Sequence, residues 1–262
     1  MDIVFPVLVF LVLLASAWAG WFARTKLQER HTSHETFDSI RLLMGMLLTF
    51  SALVLGLLTS NAKNRFDNYD KELALLSANF IDLDHRLRLY GAEGDPIRKD
   101  LRTYLAAAIA DSWPSQPHPA GDYPTFPQRS GFERQTLGDL LSRADQQILQ
   151  LKPVDDFHRE AATRMRDISS DIIQTRWQII TSTGSDISWP FLFILASWLA
   201  IIFGVFGLTS PRNGLVYVAV VMSALSITSP LFLIMDYSDA MNGLLQLSSA
   251  PMRTALIHLD AP

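Results

Sequence analysis

The sequence predicts an all-α protein, with four transmembrane helices and a helical bundle inserted between the second and third. Three observations predict this class. Four apolar runs are long enough for the roughly 20 residues a helical span takes, and none contains Asp, Glu, Lys, Arg or His. Between the second and third runs, apolar residues recur at helical spacings, punctuated by Gly and Pro. The chain is 49% hydrophobic and 18% charged, too apolar for an ordinary soluble domain and too charged to lie wholly in lipid.

The first span is Ile3–Ala23. Ala17-Trp18-Ala19 before Gly20 looks like a small-residue cleavage site, but Met-Asp opens the chain with no basic segment, so a retained helix is expected. The second span is Leu42–Leu58, and residues 1–59 hold the first pair. The third and fourth, Pro190–Leu208 and Leu215–Met235, fill residues 189–236, with Pro230 expected to break or kink the fourth. Trp189 suits a membrane interface. Residues 60–188 are read as a water-facing helical bundle with a Pro-rich loop at 114–131. Residues 237–262 are read as ending in a short amphipathic helix.

In GLLTSNAKNRFDNYDKE the second span turns polar with nothing to stop the helix before Gly91. Leu73, Leu76, Phe80, Leu83, Leu87 and Tyr90 then follow at alternating spacings of 3 and 4, a heptad seam. One helix is expected from about Leu42 to Tyr90. Its seam packs either inside its own domain or against the same helix of neighbouring subunits.

Pro96 opens the next helix, which carries Ile97, Leu101, Tyr104, Leu105 and Ile109 and ends at Trp113-Pro114. Another runs from Phe132 to Leu151. A long helix capped by Asp155 or Asp156 buries Phe157, Ala161, Met165, Ile168, Ile172 and Ile179 and reaches about Ser188. Near the C-terminus, Ser249 is expected to cap a helix with Met252, Leu256 and Leu259 on one face. That face lies on the membrane surface or against the bundle.

The net charge of −4 gives no case for a nucleic-acid partner. The absence of cysteine excludes disulfides, thiolate metal sites and Cys nucleophiles. No phosphate loop, HExxH or GxSxG is present, so the chain is read as no enzyme, with no catalytic residue, metal or cofactor. His31 and His34, three apart in a polar loop, have no wider ligand set. Asp82, Asp84, His85, Arg86 and Arg88 read as a solvated charged face. Arg24, Lys26, Arg30 and Arg41 in the first loop and Arg212 in the third place those loops in the cytoplasm. Both termini and the bundle then fall outside.

The block GLLTSNAKNRFDNYDKELALLSANFIDLDHRLRLYGAE, followed by Arg98, Leu101-Arg102 and DSWP, resembles the bestrophin-like family of bacterial membrane proteins. The stretch with Asp236, Gly243, Ser248 or Ser249, and Pro251-Met252-Arg253 is similar to that family's final block. Ala92 and Ala240-Met241 depart from it, standing where family members often have Pro and Pro-Phe. The resemblance implies a distant likeness to bestrophins, which are pentameric anion channels with four spans. It also implies a cytoplasmic bundle, opposite to the loop charges.

Spans without ionisable residues argue against a proton-coupled pump and leave a channel open. The primary reading is a homo-oligomeric anion channel in the bacterial inner (plasma) membrane, lined by span two. Thr49, Ser51, Thr59, Ser60, Asn61, Lys63 and Arg65 are the pore candidates, and the partners are the lipid bilayer and a small anion. In the bland reading of the hydroxyls, they bond their own backbone or bridge helices. The alternative function is a non-conducting scaffold or envelope sensor whose bundle binds a partner.

Overall fold

Every regular element among the described residues is a helix; the computed structural model describes residues 3–26, 34–125, 135–183, 189–238, 240–241 and 243–261. In chain order these are α1 (Val4–Arg24), α2 (His34–Tyr90), α3 (Asp95–Ser112), α4 (Gln135–Gln150), α5 (Asp156–Thr183), α6 (Trp189–Thr209), α7 (Gly214–Ser238) and α8 (Ala250–Asp260). The expected starts and ends at Phe132 and Ser188, residues 126–131 of the Pro-rich loop, and Arg30 and His31 lie outside the described residues, as does the side chain of His34. The chain divides into two compact units, Met1–Phe66 with Asp186–Leu245, and Asp67–Ser185 with Gln246–Pro262.

α1, α2, α6 and α7 are the four helices long and apolar enough to cross a membrane. Within the first unit α1 and α6 run parallel. Phe5 meets Trp189 edge-on at 5.4 Å near both N-termini, and Gly20 and Gly207 meet the facing backbone near both C-termini. A Cβ at Gly207 would overlap the Ala17 carbonyl, and one at Gly20 the Gly204 carbonyl. Here the absent side chain is what allows two helices to close up, the way small residues commonly serve membrane helices. Ala17 and Gly20, which resembled a cleavage site, are packing residues of this contact.

The C-terminal ends of α1 and α6 cap each other. Arg24 donates from Nη1 to the Ser210 carbonyl at 2.7 Å, and Arg212 donates to the Trp21 carbonyl. Carbonyls in a last helical turn have no partner within the helix, and a guanidinium satisfies them with charge of the favourable sign. α7 runs antiparallel to α1, with Trp21 and Tyr217 in edge contact at 4.5 Å.

Pro230 does not break α7, which continues through it to Ser238. Proline lacks the N–H that would bond the carbonyl four residues back, at Ser226. The Ser229 hydroxyl donates to that same carbonyl at 3.0 Å and takes the place of the missing donor. After α7 the Asp236 carboxylate accepts the backbone N–H groups of Leu244 and Leu245 at 2.6 and 2.9 Å, which fixes the turn that leaves the span.

The second unit packs α3, α4, α5 and α8 with the C-terminal part of α2. α2 is one uninterrupted helix of 57 residues. Gly91 ends it at φ +100°, a conformation L side chains rarely adopt. A 3₁₀ turn, Ala92–Gly94, leads into α3. Asp155 accepts the backbone N–H of His158 at 2.8 Å and caps α5, and this contact holds its carboxyl below the usual range.

Three expectations need correction here. Phe157 stays 56% exposed and Ala161 half-buried, whereas Ala162 is fully buried. The core face of α5 is set by Ala162, Met165, Ile168, Ile172 and Ile179, one position round from the expected start. Asp84 belongs to no solvated face; it is 3% exposed. Ser249 precedes α8 but makes no side-chain cap. Its hydroxyl instead donates to Gln116 Oε1 and accepts from Arg253 Nε at 2.9 Å.

Candidate functional site

Two places gather the residues singled out in the sequence. The first is the apolar part of α2, long enough to cross a membrane. Its apolar window is 6% buried, against 39% for α1 and 33% each for α6 and α7. Met44, Leu47, Ser51, Val54, Leu58 and Ala62 form the side turned to the chain's own helices, at the spacing of one helical face.

A second stripe on α2 is made of small or polar residues. Gly45, Thr49, Ala52, Gly56, Ser60 and Lys63 recur every three or four positions, and all are exposed. A Cβ added at Gly45 or Gly56 would meet nothing within 4 Å. A flank of Met46, Phe50, Leu53 and Leu57 is equally uncovered.

The pore candidates divide among these faces. Thr49, Ser60 and Lys63 lie on the small-residue stripe, and half-buried Thr59 borders it. Asn61 and Arg65 are exposed but project from other sides of the helix, Arg65 roughly 200° round from Lys63 at 3.6 residues per turn. Ser51 is 2% exposed and faces the chain's own bundle, so it is separated from the stripe.

Thr49, Ser51 and Thr59 donate their hydroxyl protons to the carbonyls of Gly45, Leu47 and Leu55 at 2.8–2.9 Å. In that rotamer a hydroxyl offers only lone pairs outward. An anion passing Thr49 or Thr59 would need the proton to leave the backbone first.

The seam candidates are all interior. Leu73, Leu76, Phe80, Leu83 and Leu87 are at most 1% exposed and Tyr90 is 5% exposed, inside the second unit of one chain. Phe80 stacks with Tyr104 at 5.6 Å. Burial pushes the Tyr104 hydroxyl up to about 12, with the positive Arg176 opposing the shift.

The second place is the bed of α8, whose packing against the bundle was one of two expectations but whose polar contacts were not expected. The parts of the two sequence blocks that lie in the second unit meet there and build a dock for α8. Asp84 takes Arg98 Nε on one oxygen at 2.7 Å and Arg88 Nε on the other at 2.8 Å. The free ends of both arginines reach the C-terminal carbonyls of α8, Arg88 at His258 and Arg98 at Ala261, 3.2 Å away. Arg102 pairs with Asp260. Trp113, of the DSWP stretch, donates its indole N–H to the Leu247 carbonyl at 2.8 Å, and Arg253 reaches the Pro117 carbonyl at 2.8 Å. Met252, Leu256 and Leu259 are buried beneath. These motif residues are therefore structural, pairing two parts of the chain 161 to 170 residues apart.

A family profile described as Bestrophin-like domain matches residues 9–252. The chain belongs to the Bestrophin-like family. Solved structures agree on the fold. Two single-substitution variants of a bacterial Bestrophin homologue from Klebsiella pneumoniae superpose with TM-scores of 0.65 and 0.68, at 14% and 12% identity, each covering 97% of both chains. Another, described only as a membrane protein, has a TM-score of 0.67 at 15% identity, covering 97% of this chain and 96% of its own. Among curated proteins none matches. At these identities the likeness is one of fold, and the Bestrophin-like chain's activity must be argued from its own residues.

Proposed function

We propose that this chain is one subunit of a homo-oligomeric anion channel in the bacterial plasma membrane, with α2 facing the conduction path. The observation that carries the reading is the bare α2 span, at 6% burial beside three better-covered spans. Small residues at Gly45, Thr49, Ala52, Gly56 and Ser60 leave room beside the backbone, and Lys63 supplies the favourable charge at the end of the stripe. α3, α4 and α5 are proposed as the water-facing bundle inserted between the second and third spans, with α8 docked on it. Thr49, Ser60 and Lys63 are the favoured pore residues, with Thr59 beside them; Asn61 and Arg65 serve the mouth more weakly, and Ser51 serves packing.

The test is flux from liposomes holding purified protein, with chloride against potassium as the permeant ion. Chloride is expected to pass preferentially. Lys63→Glu is expected to cut the chloride preference several-fold, and Arg65→Glu to cut it less, because Arg65 lies off the stripe. Folded protein giving no flux above empty liposomes would reject the channel and favour a scaffold or sensor.

A further inference from the structure

We infer that the groove between α1 and α7 binds a phospholipid with an anionic headgroup. The groove has a volume of about 410 Å³ and is lined by Leu14, Trp18, Trp21, Tyr217, Val220 and Val221, all within the first unit. Its walls are apolar along the span and aromatic at one end, the distribution that an acyl chain and a membrane interface call for.

Two independent features point to the occupant. The first is the exposed aromatic end of the groove, where Trp18 is 66% and Tyr217 43% exposed, the residue types that sit at headgroup depth. The second feature is charge. Exposed Arg24 and Lys26 follow Trp21 at the end of α1, and Arg212 crosses to the Trp21 carbonyl. Lys26 rests 4.8 Å from the centre of the Phe22 ring, and that ring stacks on Trp18 at the groove wall. A guanidinium has five donors, so Arg24 and Arg212 can hold their helix carbonyls and still meet a phosphate. The arrangement sets a phosphate at the cations and an acyl chain along Leu14, Val220 and Val221.

The test is native mass spectrometry of the purified protein with added dioleoyl phosphatidylglycerol or dioleoyl phosphatidylcholine, which share their acyl chains and differ in headgroup charge. Phosphatidylglycerol is expected to saturate at one per subunit and to bind at least about fivefold tighter. Lys26→Gln leaves the backbone caps intact and is expected to lower only phosphatidylglycerol binding. Ala15→Phe fills the groove from an exposed position and is expected to weaken either lipid, without lowering the melting temperature. Equal, unsaturating uptake of the two lipids would overturn the inference. So would phosphatidylglycerol binding unmoved by Lys26→Gln and Ala15→Phe, the behaviour of ordinary boundary lipid.

Discussion

α2 is a single helix whose two parts live under opposite rules. From Leu73 to Tyr90 every seam residue is sealed inside its own chain. From Leu42 to Leu57 the large apolar residues Leu42, Leu43, Met46, Leu48, Phe50, Leu53 and Leu57 are at least half exposed. Heptad spacing and bilayer-length hydrophobicity both say helix, but only the first also says what covers it. In water an uncovered apolar face is costly, so a seam must find a partner within reach. In lipid the same face is already solvated, and burial answers to close packing and to assembly.

The sharpest way to break this comparison is to make one change in both parts. Phe80→Ala empties a fully buried site and is expected to cost about 3–5 kcal/mol, read from denaturant unfolding in detergent. Phe50→Ala, at a position 55% exposed, is expected to leave single-chain stability within about 0.5 kcal/mol. A lowered subunit number for the Phe50 variant, read by light scattering, would show that a neighbouring copy covers that flank.

Alkaline pH gives a second probe of the sealed part, where Phe80 stacks on Tyr104 of α3. The Tyr104 hydroxyl is raised from 10.0 to about 12 in the folded chain, so the folded state holds its proton longer than the unfolded state. The stabilisation is complete below pH 10 and fades as pH rises through the folded value, by an amount on the order of 2–3 kcal/mol. Tyr104→Phe is expected to flatten that loss in unfolding curves taken between pH 9 and about 12.

The smallest contrast uses glycine. Gly207→Ala pushes a methyl into the Ala17 carbonyl and is expected to cost about 1–3 kcal/mol. Gly56→Ala meets nothing in its own chain and is expected to be neutral or stabilising by up to about 1 kcal/mol. Should Gly56→Ala instead abolish assembly or flux, the small-residue stripe of α2 is read in the oligomer.

The sequence carried the helices and the spans well, because bilayer-length apolar runs and heptad spacings are local signals. It was weaker at faces. Ser51 and Thr49 are two positions apart and look alike in composition, yet a helix turns them about 200° from each other. Phe157 looks like core until the register of α5 is set by Ala162 and Met165. The apolar face of α8 at Met252, Leu256 and Leu259 was legible, but the polar half of its dock was not. Asp84 sits in a run of charges that reads as solvated, and its partner Arg98 and the α8 carbonyls come from distant turns of the chain. Long-range polar pairing leaves no periodic trace. Pro230 shows the converse, since the Ser229 hydroxyl that rescues its helix stands one residue away.

The α8 dock also bears on the order in which the protein is made. Arg88, Arg98 and Trp113 emerge from the ribosome early, whereas the backbone carbonyls they hold, from Leu247 to Ala261, follow two long apolar helices later. Until then Asp84 has its arginines, but the arginines lack half their acceptors and the bed for Met252, Leu256 and Leu259 stands open. The second unit therefore waits, incomplete, through the insertion of α6 and α7. A chain stopped short of α8 would keep all four spans and still present an unfinished surface to quality-control proteases.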